Sequence, residues 1–270
     1  MKRKIRPYCA KKGAILINNN EHFIMIPYEV VDASDNIELL LPIYIYLKIN
    51  ANLFDVVYTS KSHMLFNSGY VYNSNSTSRG YIRKVEEAIL WLETYKYIYT
   101  IEDIHTGDQG CDIRSFKPGT HFNIALNERD GYQEKFLKMY LSDYEILYSL
   151  FFEDDFYMYN KLLYLYCYIM QKVQYKRKDE LHYYVCNIDM LAERGGAGKA
   201  NTIYKLIKFF DKADIFHYKV AKRIKTNKES FITGPHVFVR HSEDWENELE
   251  YAVLETETKR TKYFKSKGML

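Results

Sequence analysis

The chain has 270 residues, which at roughly 150 residues per domain predicts one large or two ordinary domains. Hydrophobic residues make up 47% of it and charged residues 27%, a balance that excludes a disordered or fibrous protein. The net charge is only +3 at pH 7, so an affinity for a polyanion has to come from a local concentration of charge.

The N-terminal residues 1–20 predict a basic arm rather than a leader peptide. Only five residues, Gly13 to Ile17, separate its lysines and arginines from three asparagines, which is too short for the core of a signal peptide. The longest apolar runs, Leu39 to Leu47 and Leu162 to Met170, reach about half of the roughly 20 residues of a membrane span. The four cysteines include no C-x-x-C pair, as is typical of reduced thiols. We therefore expect a cytoplasmic protein without membrane contact.

Residues 21–130 are predicted to form a first domain. Apolar periodicity predicts a helix within Tyr28 to Asn50 and a second helix from Ser78 to Tyr95, which follows a run of cap-forming serines and asparagines. Alternating apolar residues predict strands at Tyr97 to Ile101 and His121 to Leu126. The predicted order is helices followed by a β-hairpin.

Residues 131–242 are predicted to form a second domain with the same order. Its predicted elements are helices at Asp143 to Val173, Ile188 to Glu193 and Ala200 to Lys212, then strands at Ile215 to Val220 and Phe231 to Arg240. A shift of 118 positions aligns apolar residues of the two halves, for example Ile89 with Ile207 and Ile98 with Phe216. This echo predicts two copies of one supersecondary unit.

Charge is concentrated in blocks toward the C-terminus. The segment from Arg194 to Lys228 contains ten basic and two acidic residues, which gives a net charge of +8. The segment from Glu229 to Glu257 contains eight acidic residues and one arginine, which gives a net charge of −7. A positive block of this size attracts a polyanion. The alternative explanation is an ordinary solvated helix face followed by a mobile tail.

The strongest motif is a short helix, a glycine-rich break and a second helix in the second half. Ala192 is small enough to let the helices approach, Gly195 and Gly196 permit a tight connection, and Ile203 and Leu206 bury one face of the second helix. Together with the basic strand pair behind it, this motif resembles the winged-helix family. The resemblance implies an α+β fold, mainly α with small β-hairpins, in which two winged helix-turn-helix domains follow one another.

The resemblance also implies how the protein would bind DNA. The second helix of each unit would enter the major groove, and the hairpin would touch the flanking backbone. Asparagine pairs with adenine there, and lysine or arginine pairs with guanine or phosphate. The implied DNA-binding residues are Ser76, Thr77, Ser78, Arg79, Tyr81, Arg83, Lys84, Arg194, Lys199, Asn201, Thr202, Lys205, Lys222, Arg223, Lys225 and Lys228.

Two such domains, a basic arm at residues 1–20 and a charged C-terminal helix or tail at residues 243–270 resemble the replication initiators of plasmids and mobile elements. This resemblance implies a sequence-specific double-stranded-DNA-binding protein that is not an enzyme and needs no cofactor or metal. It also implies host replication proteins or a second copy of the chain as partners. A winged-helix transcriptional regulator is the alternative. A protein-interaction scaffold is the third hypothesis, with the acidic segment Glu243 to Glu257 as its docking helix.

Enzymatic alternatives lack essential residues. The segment Gly195 to Ala200 is similar to a phosphate-binding loop, but Glu193 stands at its first glycine position and Ala200 replaces the serine or threonine that binds magnesium. The eight histidines include no His-x-His pair and no His-Glu-x-x-His helix, so metal-dependent strand cleavage lacks ligands. The 27 tyrosines offer nucleophiles, yet those in the apolar helices are expected to fill the core.

Overall fold

The computed structural model describes residues 22–70, 72, 76–127, 135–149, 156–174, 181–194 and 200–270. Within these ranges, helices alternate with small antiparallel sheets, which confirms the predicted α+β class. No helix in the described part of the chain combines the length and the apolarity needed to cross a bilayer.

The first half begins with a strand that leads directly into a helix, β1 (Phe23–Pro27) and α1 (Tyr28–Ala33). The elements that follow are α2 (Leu40–Asn50), β2 (Val56–Ser60), α3 (Lys61–Asn67), α4 (Ser76–Thr94), β3 (Ile98–Glu102) and β4 (His121–Leu126). The hydroxyl of Ser60 caps α3 by accepting the N–H of His63 at 3.2 Å. The strands β2, β4 and β3 form an antiparallel sheet in that order, with β4 at its centre.

The second half repeats this plan and then extends it. Its elements are β5 (Phe136–Tyr140), α5 (Leu141–Ser149), α6 (Phe156–Gln174), β6 (Tyr183–Cys186), α7 (Ile188–Arg194), α8 (Ala200–Lys212), β7 (Phe216–Val220), the short strands β8 (Ile224–Lys225) and β9 (Phe231–Ile232), β10 (His236–Arg240) and α9 (Trp245–Ser266). The sheet order is β6-β10-β7, which again places the last strand at the centre. β3 begins at Ile98 and β7 at Phe216, which is the shift of 118 positions seen in the sequence.

The two halves are joined by a strand pair with internal symmetry. β1 pairs with β5 in antiparallel orientation, so that Phe23 faces Tyr140, Pro27 faces Phe136, and Met25 faces Lys138 at the centre. The first residue of each strand therefore faces the last residue of the other. An antiparallel pair centred in this way has a twofold axis between its strands. This local axis relates β1 to β5.

The helix predicted within Tyr28 to Asn50 is present as α2, and a shorter helix, α1, precedes it. The stretch from Tyr28 to Asn50 contains two helices, because a turn at Asp35 and Asn36 ends the first one, with their N–H groups donating to the carbonyls just before them. Of the helix predicted from Asp143 to Val173, residues 143–149 belong to α5 and residues 156–173 to α6, and residues 150–155 lie outside the described residues.

One hydrophobic core extends through both halves. α6 packs against α1 and α2 of the first half, and the Tyr28 hydroxyl donates a hydrogen bond to the Gln171 carbonyl at 3.2 Å. The tyrosines predicted for the core are buried or half-buried; they are Tyr44, Tyr46, Tyr164, Tyr166 and Tyr168. Burial raises the pKa of Tyr166 well above its usual range, so its hydroxyl stays protonated.

A buried carboxylate ties the second-half sheet to the helices beneath it. Asp143 accepts a hydrogen bond from the Tyr166 hydroxyl at 2.8 Å and another from the Arg240 guanidinium at 3.2 Å, both on Oδ2. The same guanidinium lies 3.9 Å from the centre of the Tyr140 ring. Three elements of the second half thus share one polar contact, and the strand β10, which ends at Arg240, is held against them.

Candidate nucleic-acid interface

α4 presents an arginine pair to solvent near its N-terminus. Arg79 and Arg83 are exposed and lie one turn apart, while Ile82 and Val85 on the other face are buried. This one-sided burial is the arrangement that the sequence predicts for the first recognition helix. The hydroxyl-bearing candidates at 76–78 lie in the first turn of α4, but their side chains are outside the described residues.

The other two candidates on α4 are engaged within the protein. Tyr81 stacks on Tyr70 with ring centres 4.2 Å apart, and the ammonium of Lys84 lies 4.7 Å from the Tyr81 ring. Lys84 also forms an ion pair with Glu38. A DNA phosphate would have to compete with this carboxylate for Lys84, so Arg79 and Arg83 are the stronger candidates on the helix.

A basic cleft with a volume of about 440 Å³ opens beside α4. It is lined on one side by Arg79 and Arg83 and on the other by Arg114 and Lys117 from the connection between β3 and β4. Lys117 is not among the DNA-binding residues predicted from the sequence. The cleft would accommodate a phosphate group between two elements.

Two cations of the basic cleft are already neutralised. Lys61 is almost fully buried and donates a hydrogen bond to Glu86 at 2.6 Å. Arg114 holds Asp112 through its Nε and Nη2 atoms, and these hydrogen bonds lower the pKa of Asp112 to about 2. The positive charge available to a ligand therefore comes from Arg79, Arg83 and Lys117 rather than from the whole lining.

α8 carries a continuous cationic surface on one face. Ile203, Leu206, Ile207 and Phe210 are buried along one face. The opposite face carries four exposed side chains at helical spacing, which we call the α8 stripe: Asn201, Lys205, Lys208 and Lys212. None of its three lysines forms an ion pair with any other described residue.

The α8 stripe includes only part of the predicted set. Asn201 and Lys205 are exposed as expected, and Thr202 is half-buried beside them. Lys208 and Lys212 were not predicted as DNA-binding residues, although their spacing from Lys205 places them on the same face. Other candidates lie outside the described residues, namely Lys199, the side chain of Arg194 and the glycines at 195 and 196.

The second hairpin, residues 221–235, projects between β7 and β10 and contains the short pair β8 and β9. The Thr226 N–H donates to the Ser230 carbonyl at 2.8 Å and closes its tip. All four predicted cations of this hairpin are exposed; they are Lys222, Arg223, Lys225 and Lys228. Lys225 and Lys222 face carboxylates of Glu229 and Glu257 at 3.9 and 3.8 Å, whereas Arg223 and Lys228 form no ion pair with a described residue.

α9 braces the second hairpin from behind. The Arg260 guanidinium donates to the carbonyls of Lys222 at 3.0 Å and Thr233 at 2.9 Å, which lie on the two sides of the hairpin. Glu257 accepts the backbone N–H of Lys222 at 2.9 Å. At the tip, the Asn227 N–H donates to the Met269 carbonyl at 2.9 Å. The C-terminal helix thus restrains the hairpin while leaving its cationic side chains exposed.

The acidic segment predicted as a docking helix packs mainly on its own sheet. Leu249, Ala252 and Val253 of α9 are buried against the second-half sheet. Tyr251 and Leu254 remain 60% and 64% exposed. Part of the apolar face expected for a partner is therefore used within the chain.

Comparison with known proteins finds no matching family model and no match among curated proteins or solved structures. The function of the chain is therefore inferred from its own residues and their geometry.

Proposed function

We propose that the protein binds double-stranded DNA through two winged-helix units in tandem. The observation that carries this proposal is the α8 stripe, an amide and three lysines along one exposed face of a helix whose other face is buried. The same order of helix, strand, two helices and two strands in both halves supports it, as does the central position of the last strand in each sheet.

The dimensions of α8 suit a DNA groove. Its 13 residues span about 20 Å, and an α-helix fits the major groove, which is about 12 Å wide. Helix-turn-helix proteins contact bases with the N-terminal residues of the recognition helix, which is where Asn201 lies. Lys205 and Lys208 follow by one and two turns. We therefore assign base contact to Asn201 and contact with phosphate or guanine to the lysines.

The pairing of β1 with β5 suggests how the two halves of the DNA target site are oriented relative to each other. A local twofold axis at β1 and β5 favours opposite orientations for the two units. In dimeric helix-turn-helix proteins, the symmetry of the target mirrors that of the protein. One chain of this protein would accordingly bind two half-sites in inverted orientation, with α4 at one half-site and α8 at the other.

Affinity for duplex DNA is expected to fall steeply as salt is added. Six phosphate contacts from the basic cleft, the α8 stripe and the second hairpin would give a slope of about −5 in log affinity against log salt, or about 10³-fold between 50 and 200 mM. Fluorescence anisotropy with a labelled duplex at several salt concentrations measures this slope. A flat slope with micromolar or weaker affinity would instead favour a protein-interaction scaffold.

We further propose that the bound DNA is the replication origin of a plasmid or mobile element. The support is the resemblance to initiators of that class, in which two winged-helix units follow one another. Both units of one chain would then bind the two halves of one DNA site. The coding region and its adjacent repeats should sustain a plasmid that lacks its own origin, whereas a variant with Asn201→Ala and Lys205→Ala should not. Repression of a reporter without any replication would instead indicate a transcriptional regulator.

A further inference from the structure

Four side chains with metal-ligand chemistry meet at the C-terminal end of α8. Asp211 lies in its last turn, Asp214 follows it, His217 belongs to β7, and His241 follows β10. The ligand atoms of Asp214, His217 and His241 all lie within 4.8 Å of one another. The Nε2 atom of His217 is 2.9 Å from Nδ1 of His241 and 3.7 Å from Oδ1 of Asp214.

These separations suit a tetrahedral zinc site. Zinc–nitrogen and zinc–oxygen bonds of about 2.0–2.2 Å at tetrahedral angles place neighbouring ligand atoms about 3.3 Å apart. The two distances from His217 Nε2 lie on either side of that value. The third pair of ligand atoms, from Asp214 and His241, lies within 4.8 Å, so movement of these two side chains toward His217 would complete three corners of a tetrahedron.

A second carboxylate orients the central histidine for this task. Nδ1 of His217 is 2.9 Å from Oδ1 of Asp211, which accepts the ring N–H. This hydrogen bond places the proton on Nδ1 and leaves the Nε2 lone pair directed at His241. A ligating histidine that donates its other N–H to a carboxylate is a recurrent feature of zinc sites, because the carboxylate fixes the tautomer and raises the basicity of the ligand.

The surroundings hold the ring and leave a path for the ion. His217 is buried, and its ring stacks on the Trp245 indole with centres 3.6 Å apart and an angle of 17° between the planes. Asp214 and His241 are exposed. One ligand is thus held in place and two are accessible.

We propose that Asp214, His217 and His241 bind one divalent transition-metal ion, Zn²⁺ being the best fit, with Asp211 as the orienting carboxylate. Two carboxylates and two neutral imidazoles balance the charge of the ion. The site would link the end of α8 to β7 and to the segment after β10, and so fix the helix against its sheet. The proposal does not depend on DNA binding.

The site is tested by titrating the chelator-treated chain with Zn²⁺ in the absence of DNA and measuring the heat of binding by calorimetry. We expect one ion per chain and a higher melting temperature with the ion bound. His241→Ala removes a ligand from an exposed position and should weaken binding at least about 100-fold, whereas Asp211→Asn should weaken it about 10- to 100-fold. Titration with Co²⁺ should produce the visible absorption of a four-coordinate site.

His105→Ala is the matched control, because His105 is also exposed but lies in the connection after β3, away from the cluster. It should bind Zn²⁺ as the unchanged protein does. Far-UV circular dichroism, which does not depend on the Trp245 ring that stacks on His217, checks that each variant is folded. Absence of Zn²⁺ binding at micromolar concentrations, or equal affinity of the His241→Ala variant, would overturn the site and leave the DNA-binding proposal untouched.

Discussion

Replacing Asn201, Lys205 and Lys208 together with alanine is expected to remove the preference of the protein for its DNA target. These side chains are exposed on α8, whereas Ile203 and Leu206 keep the other face of the helix in the core, so the variant should fold normally. A bidentate base contact contributes about 1–3 kcal/mol to discrimination between sequences. Affinity for the selected target should therefore fall at least about 100-fold, and each lost phosphate contact should reduce the salt slope by about 1.

The target is first selected from a random duplex library with the unchanged protein, and both proteins are then titrated with it and with a scrambled duplex. Lys48→Ala combined with Lys172→Ala is the charge-matched control, because these lysines lie in the last turns of α2 and α6 rather than on α4 or α8. This control should retain its preference for the target. If the triple variant also retains it, α8 is not the helix that recognises the sequence.

Gly234→Ala is expected to displace the second hairpin and to destabilise the protein by about 3 kcal/mol. A Cβ atom at this position would lie 1.6 Å from the carbonyl oxygen of Ala221 and 2.5 Å from its carbonyl carbon. Backbone atoms cannot move aside as a flexible side chain can. The Ala221 N–H also donates to the Pro235 carbonyl at 3.0 Å, so separating the two segments breaks a hydrogen bond. Urea unfolding followed by tryptophan fluorescence measures the loss of stability.

Two other glycines serve as controls for this substitution. Gly119→Ala should leave the free energy of unfolding unchanged, since no atom lies within 4 Å of the added Cβ. Gly80→Ala should raise it by about 0.5–1 kcal/mol, because Gly80 lies inside α4 with open space around it and glycine is a poor helix former. Equal stability of the Gly234→Ala variant would mean that the hairpin base is looser than the contact with Ala221 implies.

Elements with a strong one-sided pattern were predicted well. The bounds predicted for α8 and β4 match the structure, Ala200–Lys212 and His121–Leu126. Both have apolar side chains at the spacing of their own secondary structure, and that signal is local. In contrast, β1 and β5 were not predicted, because their pairing joins Phe23 to Tyr140 across most of the first half. The five residues of a strand do not by themselves indicate a pairing strand more than 100 positions away.

The candidate DNA-binding residues divide in a similar way. Asn201 and Lys205 could be selected from the sequence, and Lys208 could have been selected by following the same helical face. The ion pair between Lys84 and Glu38 could not be predicted from the sequence, since Glu38 lies 46 positions earlier in the chain. Lys117 lies in the same cleft as Arg79 and Arg83 because of the tertiary fold, which local sequence does not encode.

The amino-acid order by itself determined where the helices and strands recur, where the positive charge accumulates and which face of α8 is apolar, because these properties depend on neighbours within a few turns. The tertiary structure decided which distant groups meet. It brought His241 to His217, wrapped α9 behind the second hairpin and set β1 against β5 about a local axis. These long-range contacts depend on how the hydrophobic core packs as a whole. The hydrophobic effect is non-directional, so a short stretch of sequence does not specify which distant segment it will contact.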